Sequence, residues 1–189
     1  MRFIPVLFGM LKLFMISLFS LGRITFSLPA RKDAHVSLSV RGTGRIRMGK
    51  HVSLNRCARI SATENAVVGI GSYSQIGYNN VIISRERISI GKNVMLGANV
   101  CIYDHDHVYR KPGIIRDMGY ITSPITIEDN VWIGAGVVIL RGVTVGSGSV
   151  IAAGTVVNRD IPENSLVYNQ RELVIKPRTS EEKADGISD

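Results

Sequence analysis

The sequence predicts an all-β fold in which short parallel strands stack coil upon coil, as in a parallel β-helix. The composition agrees, because 19 glycines and only 6% aromatics among 189 residues are typical of a turn-rich fold with an aliphatic core. The decisive observation is a six-residue period, which fits neither an α-helix nor a simple alternating strand. That period is carried by branched aliphatic residues without a miss: Ile127, Ile133, Ile139, Val145, Ile151 and Val157.

A looser series with the same spacing precedes the regular one. In each coil the branched residue would point inward above its neighbour, while glycine and asparagine serve turns where the backbone takes a positive φ. The earlier members are Leu54 and Ile60, then Ile70, Ile76 and Ile82, then Ile90, Leu96 and Ile102. The spacing breaks across residues 103–124, so this stretch must protrude from the coil stack as a loop. We therefore predict a β-helix domain over residues 31–176 and a solvated tail over residues 177–189.

Charge and cysteine content exclude several classes of protein. The two cysteines, Cys57 and Cys101, form neither a disulfide framework nor a four-cysteine metal site. The net charge is +8, and the first 60 residues hold eleven Lys and Arg against one acidic residue, Asp33. Such a concentration of positive charge fits an anionic partner, either a nucleic acid or an anionic membrane face. Aromatic residues are not interleaved with this charge as base stacking requires, so we predict no nucleic acid partner.

Residues 3–22 are mostly apolar and long enough for a membrane helix, but Lys12 lies mid-span, where a charge is costly in hydrocarbon. On a helix the polar residues share one narrow arc. This arc comprises Arg2, Gly9, Lys12, Ser20 and Arg23. We interpret residues 1–30 as a helix lying in the membrane interface followed by a basic linker, with contact through residues 1–23. The alternatives are a transmembrane span, a signal peptide, and a core or oligomer-contact helix.

Four segments carry a resemblance to a known family: residues 90–107, 124–134, 142–146 and 150–162. The first ends in Asp-His-Asp-His at 104–107, and the second ends in Asn-Val-Trp-Ile-Gly at 130–134. They resemble the hexapeptide-repeat acyltransferases, specifically the sugar O-acetyltransferase branch that contains galactoside, maltose and polysaccharide O-acetyltransferases. The resemblance implies a left-handed β-helix, a homotrimer with active sites between subunits, and acetyl-CoA as the acyl donor. No metal is expected.

The protruding loop holds the residues that the resemblance implies are catalytic. Matched without gaps from Ile102, His107 falls where the sugar acetyltransferases hold their catalytic histidine, whereas a gap would give that role to His105. A neutral histidine is the usual base near pH 7. A carboxylate such as that of Asp104 orients the ring. The base would take the proton of a sugar hydroxyl as the oxygen attacks the thioester.

The resemblance also implies positions for the donor and the acceptor. The small residues Ala135 and Ala153 would lie along the pantetheine arm and let the backbone approach it. Trp132 would cover the thioester, wall the sugar pocket or pack in the trimer. Gly77 stands where the family's sugar-binding asparagine would be. The nucleotide end would meet Asn158, Arg159 and Lys176, and the sugar would meet Tyr78, Asn79 and Tyr103.

The sequence thus predicts an acetyl-CoA-dependent O-acetyltransferase acting on a sugar hydroxyl of a surface-polysaccharide precursor, for an O-antigen, capsule or exopolysaccharide. The N-terminal helix suggests a lipid-linked glycan as acceptor. It also suggests a cytoplasmic location, peripheral on the inner face of the cytoplasmic membrane. Transfer to the amino group of an amino sugar is one alternative. A γ-carbonic-anhydrase-like metalloenzyme, despite its different histidine spacing, and a non-catalytic β-helical scaffold are the others.

Overall fold

The computed structural model describes residues 11, 14–33, 35–110 and 112–170. In this part of the chain the strands wind into three-sided coils, and each side of a coil joins a different parallel sheet. The first sheet consists of β1 Ile24–Phe26, β4 Arg45–Met48, β7 Val67–Ile70, β10 Arg87–Ile90, β15 Ile125–Ile127 and β18 Thr144–Val145.

The other two sheets follow the same plan, one strand per coil. The second consists of β2 Arg31–Lys32, β5 Ser53–Leu54, β8 Gln75–Ile76, β11 Met95–Leu96, β16 Trp132–Ile133, β19 Val150–Ile151 and β21 Leu166–Val167. The third consists of β3 Ser37–Val40, β6 Arg59–Ala62, β9 Val81–Ser84, β12 Cys101–Tyr103, β17 Val138–Ile139 and β20 Val156–Val157. Consecutive coils therefore lie at the strand spacing of a sheet, about 4.8 Å.

The core is a stack of aliphatic side chains that point inward from all three sheets. Ile46, Val68 and Ile88 occupy one register position in successive strands of the first sheet, and all three are fully buried. The regular hexads fall on the three sheets in rotation, so Ile127 pairs with Val145 one coil later. Burying each such side chain contributes roughly 1.5–3 kcal/mol. The parallel β-helix predicted from the six-residue period is confirmed.

The corners between strands are tight turns with left-handed backbone conformations. Asparagine is the commonest non-glycine residue there, and Asn93, Asn99 and Asn130 have φ angles of 56°, 58° and 58°. Asparagine tolerates this region because its short polar side chain can bond locally. The corners also bond from coil to coil, as where the Asn99 N–H donates to the Tyr78 carbonyl at 2.9 Å.

The coil stack begins at Ile24, ahead of the boundary at residue 31 that the sequence suggested. Ile24, Ala30 and Val36 are buried and spaced six apart, so the hexad series reaches back to β1. This spacing was a usable signal, but the small side chain of Ala30 and the apolar residues before it concealed the series. Residues 24–30 are thus part of the first coil rather than a linker.

Residue 11 and residues 14–19 are helical, and this helical segment lies against the first coil. Ile16 packs on the core, and the buried Ser20 hydroxyl accepts a hydrogen bond from the Ile24 N–H at 3.0 Å. No helix among the described residues is both long and apolar enough to cross a membrane. The predicted polar-arc residues Arg2, Gly9 and Lys12 lie outside the described residues, as do Lys176 and the predicted tail over 177–189.

Candidate active site

The break in the repeat is an antiparallel hairpin that leaves the solenoid after β12, at the corner between the third and first sheets. Its strands are β13 His105–His107 and β14 Tyr120–Thr122, and a 3-10 turn lies between them at Ile115–Asp117. The Ser123 N–H donates to the Asp104 carbonyl at 2.9 Å and closes the base of the hairpin. Tyr103 lies in β12 and is thus part of the coil, so the hairpin is shorter than the predicted loop.

Asp104 is a fully buried carboxylate at the point where the hairpin begins. Its Oδ2 accepts hydrogen bonds from the Ser84 hydroxyl at 2.6 Å and the Glu86 N–H at 2.9 Å. Its Oδ1 accepts one from the Arg85 N–H at 2.8 Å. All three donors come from the preceding coil, at the end of β9 and just beyond it. They fix both carboxylate oxygens, and hydrogen bonds to a charged group are worth about 1.5–3 kcal/mol each.

His105 is held by this carboxylate. Its Nδ1 lies 3.1 Å from Asp104 Oδ1, and its side chain is only 13% exposed. The ring also meets Tyr103 and Tyr120 edge-on, at centroid distances of 6.1 and 5.4 Å. When Nδ1 donates its proton to Asp104, the lone pair lies on Nε2. This arrangement is that of an oriented general base.

His107 lies on the same face of β13 as His105, because side chains two apart in a strand point the same way. Its ring centroid is 4.5 Å from that of Tyr120, with the planes tilted by 42°. The residue is exposed. Within the described residues no carboxylate pairs with it. The structure therefore brings both predicted histidines together but gives only His105 an anionic partner.

Tyr103, a predicted acceptor contact, lies beside His105. Burial raises the pKa of its hydroxyl above the usual 10.0, and the charge of Cys101 and a hydrogen bond with it raise that pKa further. Arg59 opposes the shift by lowering the pKa. The hydroxyl is therefore neutral over the physiological pH range and keeps a proton to donate.

Two arginines clamp the hairpin to the solenoid. The Arg85 guanidinium lies over the Tyr120 ring, 3.3 Å from its centroid, and also pairs with Glu64 at 2.8 Å. Arg141 Nε lies 2.6 Å from Asp106 Oδ2. A cation over an aromatic ring contributes about 0.5–2 kcal/mol, the upper end where the pair is desolvated. The clamp fixes the strand that carries both histidines.

Sequence reasoning missed Ser84, Arg85, Tyr120 and Arg141. Ser84 and Arg85 lie one coil before Asp104, and Arg141 lies one coil after it. Each contact therefore joins residues that are distant in sequence. The only available signal was the coil length itself, which places residues about one coil apart side by side.

The predicted acceptor residues Tyr78 and Asn79 lie at a different corner, between the second and third sheets. Asn79 takes the left-handed turn position, with φ of 55°, and its N–H donates to the Arg56 carbonyl at 3.1 Å. Tyr78 is exposed. The histidine hairpin leaves the corner at the other end of the third sheet, so one chain does not bring these residues together.

Two of the predicted donor residues share the corner of Tyr78. Ala135 and Ala153 are exposed and belong to successive coils, linked by the Gly154 N–H donating to the Ala135 carbonyl at 2.8 Å. Trp132 is exposed in the neighbouring β16. Asn158 and Arg159 follow β20, on the side of the hairpin. The predicted site residues thus divide between two corners of the solenoid.

No group of three or more His, Cys, Asp or Glu side chains that could hold a metal ion occurs among the described residues. The two histidines of β13 are accompanied by Asp104, whose oxygens are already bonded to Ser84 and backbone amides.

Two family models match the chain within its coils. Residues 124–159 match the bacterial transferase hexapeptide of six repeats, and residues 87–103 match the hexapeptide repeat of succinyl-transferase. The chain carries the hexapeptide repeats of bacterial transferases. The hexapeptide-repeat resemblance and the predicted acyltransferase class are thereby confirmed. No protein with curated annotation matches the chain.

Solved structures with the same architecture support the left-handed β-helix. AntD, an N-acyltransferase from Bacillus cereus in complex with dTDP-4-amino-4,6-dideoxyglucose and Coenzyme A, has a TM-score of 0.66 and 18% identity, over 87% of this chain and 90% of its own. The polySia specific acetyltransferase NeuO has a TM-score of 0.53 and 24% identity, over 86% and 74%. At these identities the likeness concerns the fold, and it agrees with the predicted left-handed hexapeptide-repeat solenoid.

Proposed function

We propose that this hexapeptide-repeat protein transfers an acetyl group from acetyl-CoA to a sugar hydroxyl, with His105 as the general base. The observation that carries the proposal is the buried Asp104 carboxylate bonded to His105 on a hairpin of a transferase scaffold. The sequence alignment favoured His107. We assign the base to His105 because Asp104 fixes its ring orientation and tautomer, which is what a proton-transfer base requires.

The proposed reaction is a direct transfer. His105 Nε2 takes the hydroxyl proton while the sugar oxygen attacks the thioester carbonyl carbon, and the resulting oxyanion accepts hydrogen bonds from nearby donors. The C–S bond then breaks, and the CoA thiolate takes the proton back from the histidine. We propose no acyl-enzyme, since a cysteine nucleophile needs an adjacent base. Cys57 is exposed at a corner, and Cys101 lies against Tyr103.

The separation of the predicted residues between two corners supports a site shared by two subunits of a homotrimer. One subunit would supply the hairpin with His105, and its neighbour would supply the corner with Tyr78, Ala135 and Ala153. The exposed alanines leave room for an extended pantetheine arm to approach the backbone. Trp132 would cover the thioester, and Arg159 would meet the phosphates of the donor.

The proposed acceptor is a precursor of a surface polysaccharide. Tyr103 supports this placement of the acceptor, because its aromatic side chain lies beside the proposed base His105. AntD, which shares the fold, is described with an amino sugar nucleotide. Amino sugars therefore belong in the panel of acceptors alongside neutral sugars.

The test is a calorimetric titration of the purified protein with acetyl-CoA, propionyl-CoA and free CoA, followed by a transfer assay on the acceptor panel. We expect saturable acetyl-CoA binding near one per chain, and CoA release that depends on a hydroxyl acceptor. Failure of a folded trimer to bind any acyl-CoA would remove the donor and leave a scaffold role. Release that depends only on amino sugars would reassign the protein to N-acyl transfer.

A further inference from the structure

The N-terminal end of the solenoid is closed by the helix of residues 14–19. Strands β1, β2 and β3 are each the last strand of their sheet at this end. Ile16 packs on the core, and Arg23 donates from Nη1 to the Gly42 carbonyl at 2.7 Å and from Nε to the Ser20 carbonyl at 3.1 Å. These contacts fix the helix on the first coil. We call residues 11 and 14–23, as far as they are described, the end cap.

The outer face of the end cap is apolar. Phe19 is 76% exposed and Leu18 is 60% exposed, although both belong to a fixed helix. The terminal repeats of a solenoid normally present a polar outer face, because that face keeps the protein soluble. An apolar face in this position indicates a surface that a membrane or another protein covers. Its exposed members are Leu11, Phe14, Met15, Leu18, Phe19 and Leu21.

The coils next to the end cap are strongly cationic. Between residues 23 and 60 the only acidic residue is Asp33, whose carboxylate lies 3.8 Å from Arg31. Beyond residue 60 the sequence holds 12 Lys and Arg and 14 Asp and Glu, so the positive excess lies entirely within the first 60 residues of the sequence. The exposed cations of the first two coils are Arg31, Arg41, Arg45, Arg47, Lys50, Arg56 and Arg59.

We propose that the protein docks end-on to an anionic lipid membrane, with the end cap in the headgroup layer and the solenoid axis along the membrane normal. Apolar side chains bordered by cations are the combination that binds such an interface. Each Lys or Arg near an anionic surface strengthens binding by about fivefold. An acidic protein partner would use the cations but has no need of so many exposed aromatic and aliphatic side chains on one helix.

End-on docking also sets the height of the candidate active site. The histidine hairpin follows β12 in the fourth coil, three coil intervals above the first. At about 4.8 Å per interval, the hairpin stands roughly 14 Å above the first coil. This height suits a glycan attached to a lipid in the same membrane, and this last step rests on the proposed acetyl transfer. The docking itself does not.

The test is co-sedimentation of the full chain with vesicles of phosphatidylcholine, with and without phosphatidylglycerol. We expect binding only to the vesicles with phosphatidylglycerol, weakened by added salt. Phe19→Glu should weaken binding by about tenfold or more, since it removes apolar area that docking buries in the membrane and adds a negative charge. Arg41→Ala should weaken it by about fivefold. Circular dichroism establishes that each variant is folded.

Matched controls lie at the opposite end of the solenoid. Leu166→Glu alters a side chain of similar exposure, 68%, and Arg159→Ala removes a cation. Both should bind vesicles like the unaltered protein. Equal loss in the controls and the cap variants would overturn the proposal. A Phe19→Glu variant that changes the oligomeric mass, in a protein that never binds vesicles, would assign the end cap to a second copy instead. Acetyl transfer to a soluble acceptor, scored separately, tests the proposed function.

Discussion

At Asp104 the fold places a carboxylate out of contact with water and surrounds it with donors. The Ser84 hydroxyl and two backbone amides occupy three acceptor sites, and His105 occupies a fourth. The two amides are part of the rigid corner after β9. Asp104, which they hold in place, therefore fixes the histidine ring relative to the coil. Its role is to position His105 rather than to contact the acceptor.

Asp104→Asn should therefore lower turnover by at least about a hundredfold while acetyl-CoA binding is retained. An amide keeps the shape but has a single acceptor oxygen, so its NH2 group faces donors and the histidine tautomer is no longer fixed. The buried donors that lose their acceptor should also lower the free energy of unfolding by about 1–3 kcal/mol. Steady-state CoA release and thermal unfolding measure the two effects. Asp117→Asn, an exposed carboxylate of the same hairpin, is the control, and turnover within about threefold in both variants would contradict the positioning role.

The raised pKa of the Tyr103 hydroxyl predicts a loss of stability at alkaline pH. Since burial raises the pKa of its hydroxyl above 10.0 in the folded protein, its contribution is fully present below that value. As the pH rises further, the unfolded state releases the proton first, and the contribution is lost as the pH passes through the raised pKa. Tyr103→Phe should remove this part of the decline. Thermal midpoints of both proteins, compared just below and well above pH 10.0, test the point, and parallel declines would contradict it.

At the scale of elements, the hairpin is an excursion from a rigid stack, held by its own ladder and by the two arginines. Its strands pair antiparallel, with His107 opposite Tyr120, whereas every other sheet pairing in the described chain is parallel. Tyr120 contacts both histidines and lies under Arg85. Through these contacts the aromatic ring holds the histidine face of the hairpin in a fixed position relative to the solenoid.

Arg85→Ala should lower the turnover number by about tenfold with little change in the KM for acetyl-CoA. Loss of one cation over an aromatic ring costs only about 0.5–2 kcal/mol, so the solenoid should unfold as before. The loosened hairpin should show faster hydrogen exchange at Val108 and Ser123, whose N–H groups close it. Arg87→Ala, an exposed arginine of β10, is the matched control. Unchanged exchange together with unchanged turnover would show that the clamp is dispensable.

The elements could be predicted to different degrees. The series from Ile127 to Val157 predicts the late coils and their inward faces, because each hexad repeats one local environment. The first coil was missed, since Ala30 is too small to stand out between Ile24 and Val36. The hairpin position could be predicted from the broken spacing, but not the partners of Asp104. Those partners depend on which residues stack one coil apart. Because the six-residue spacing is irregular in the early coils, the sequence does not show which residues these are.

Across the whole molecule, the surfaces for which we propose functions are separated along two directions. Along the axis, one end carries the apolar end cap and the cationic coils. Around the axis, one corner carries the histidine hairpin and another carries Tyr78, Ala135 and Ala153. A single chain cannot bring these corners together, so the proposed site requires a neighbouring subunit.

This division predicts complementation between two inactive variants. His105→Ala removes the base from one corner, and Ala153→Trp should block the other corner by filling the approach to the backbone. Each variant alone should be inactive, but trimers refolded from a mixture should recover part of the activity, because some interfaces combine two intact corners. Mass determination in solution should give a trimer for all samples. A folded mixture without any activity would contradict a shared site.

Comparing turnover in His105→Ala and His107→Ala decides which histidine of β13 is the general base. Both side chains project from one face of β13, but only His105 is paired with Asp104. We predict that His105→Ala lowers acetyl transfer by at least about a hundredfold with acetyl-CoA binding intact, and that His107→Ala lowers it by less than about fivefold. The reverse pattern, or equal activity in both variants, would contradict the account.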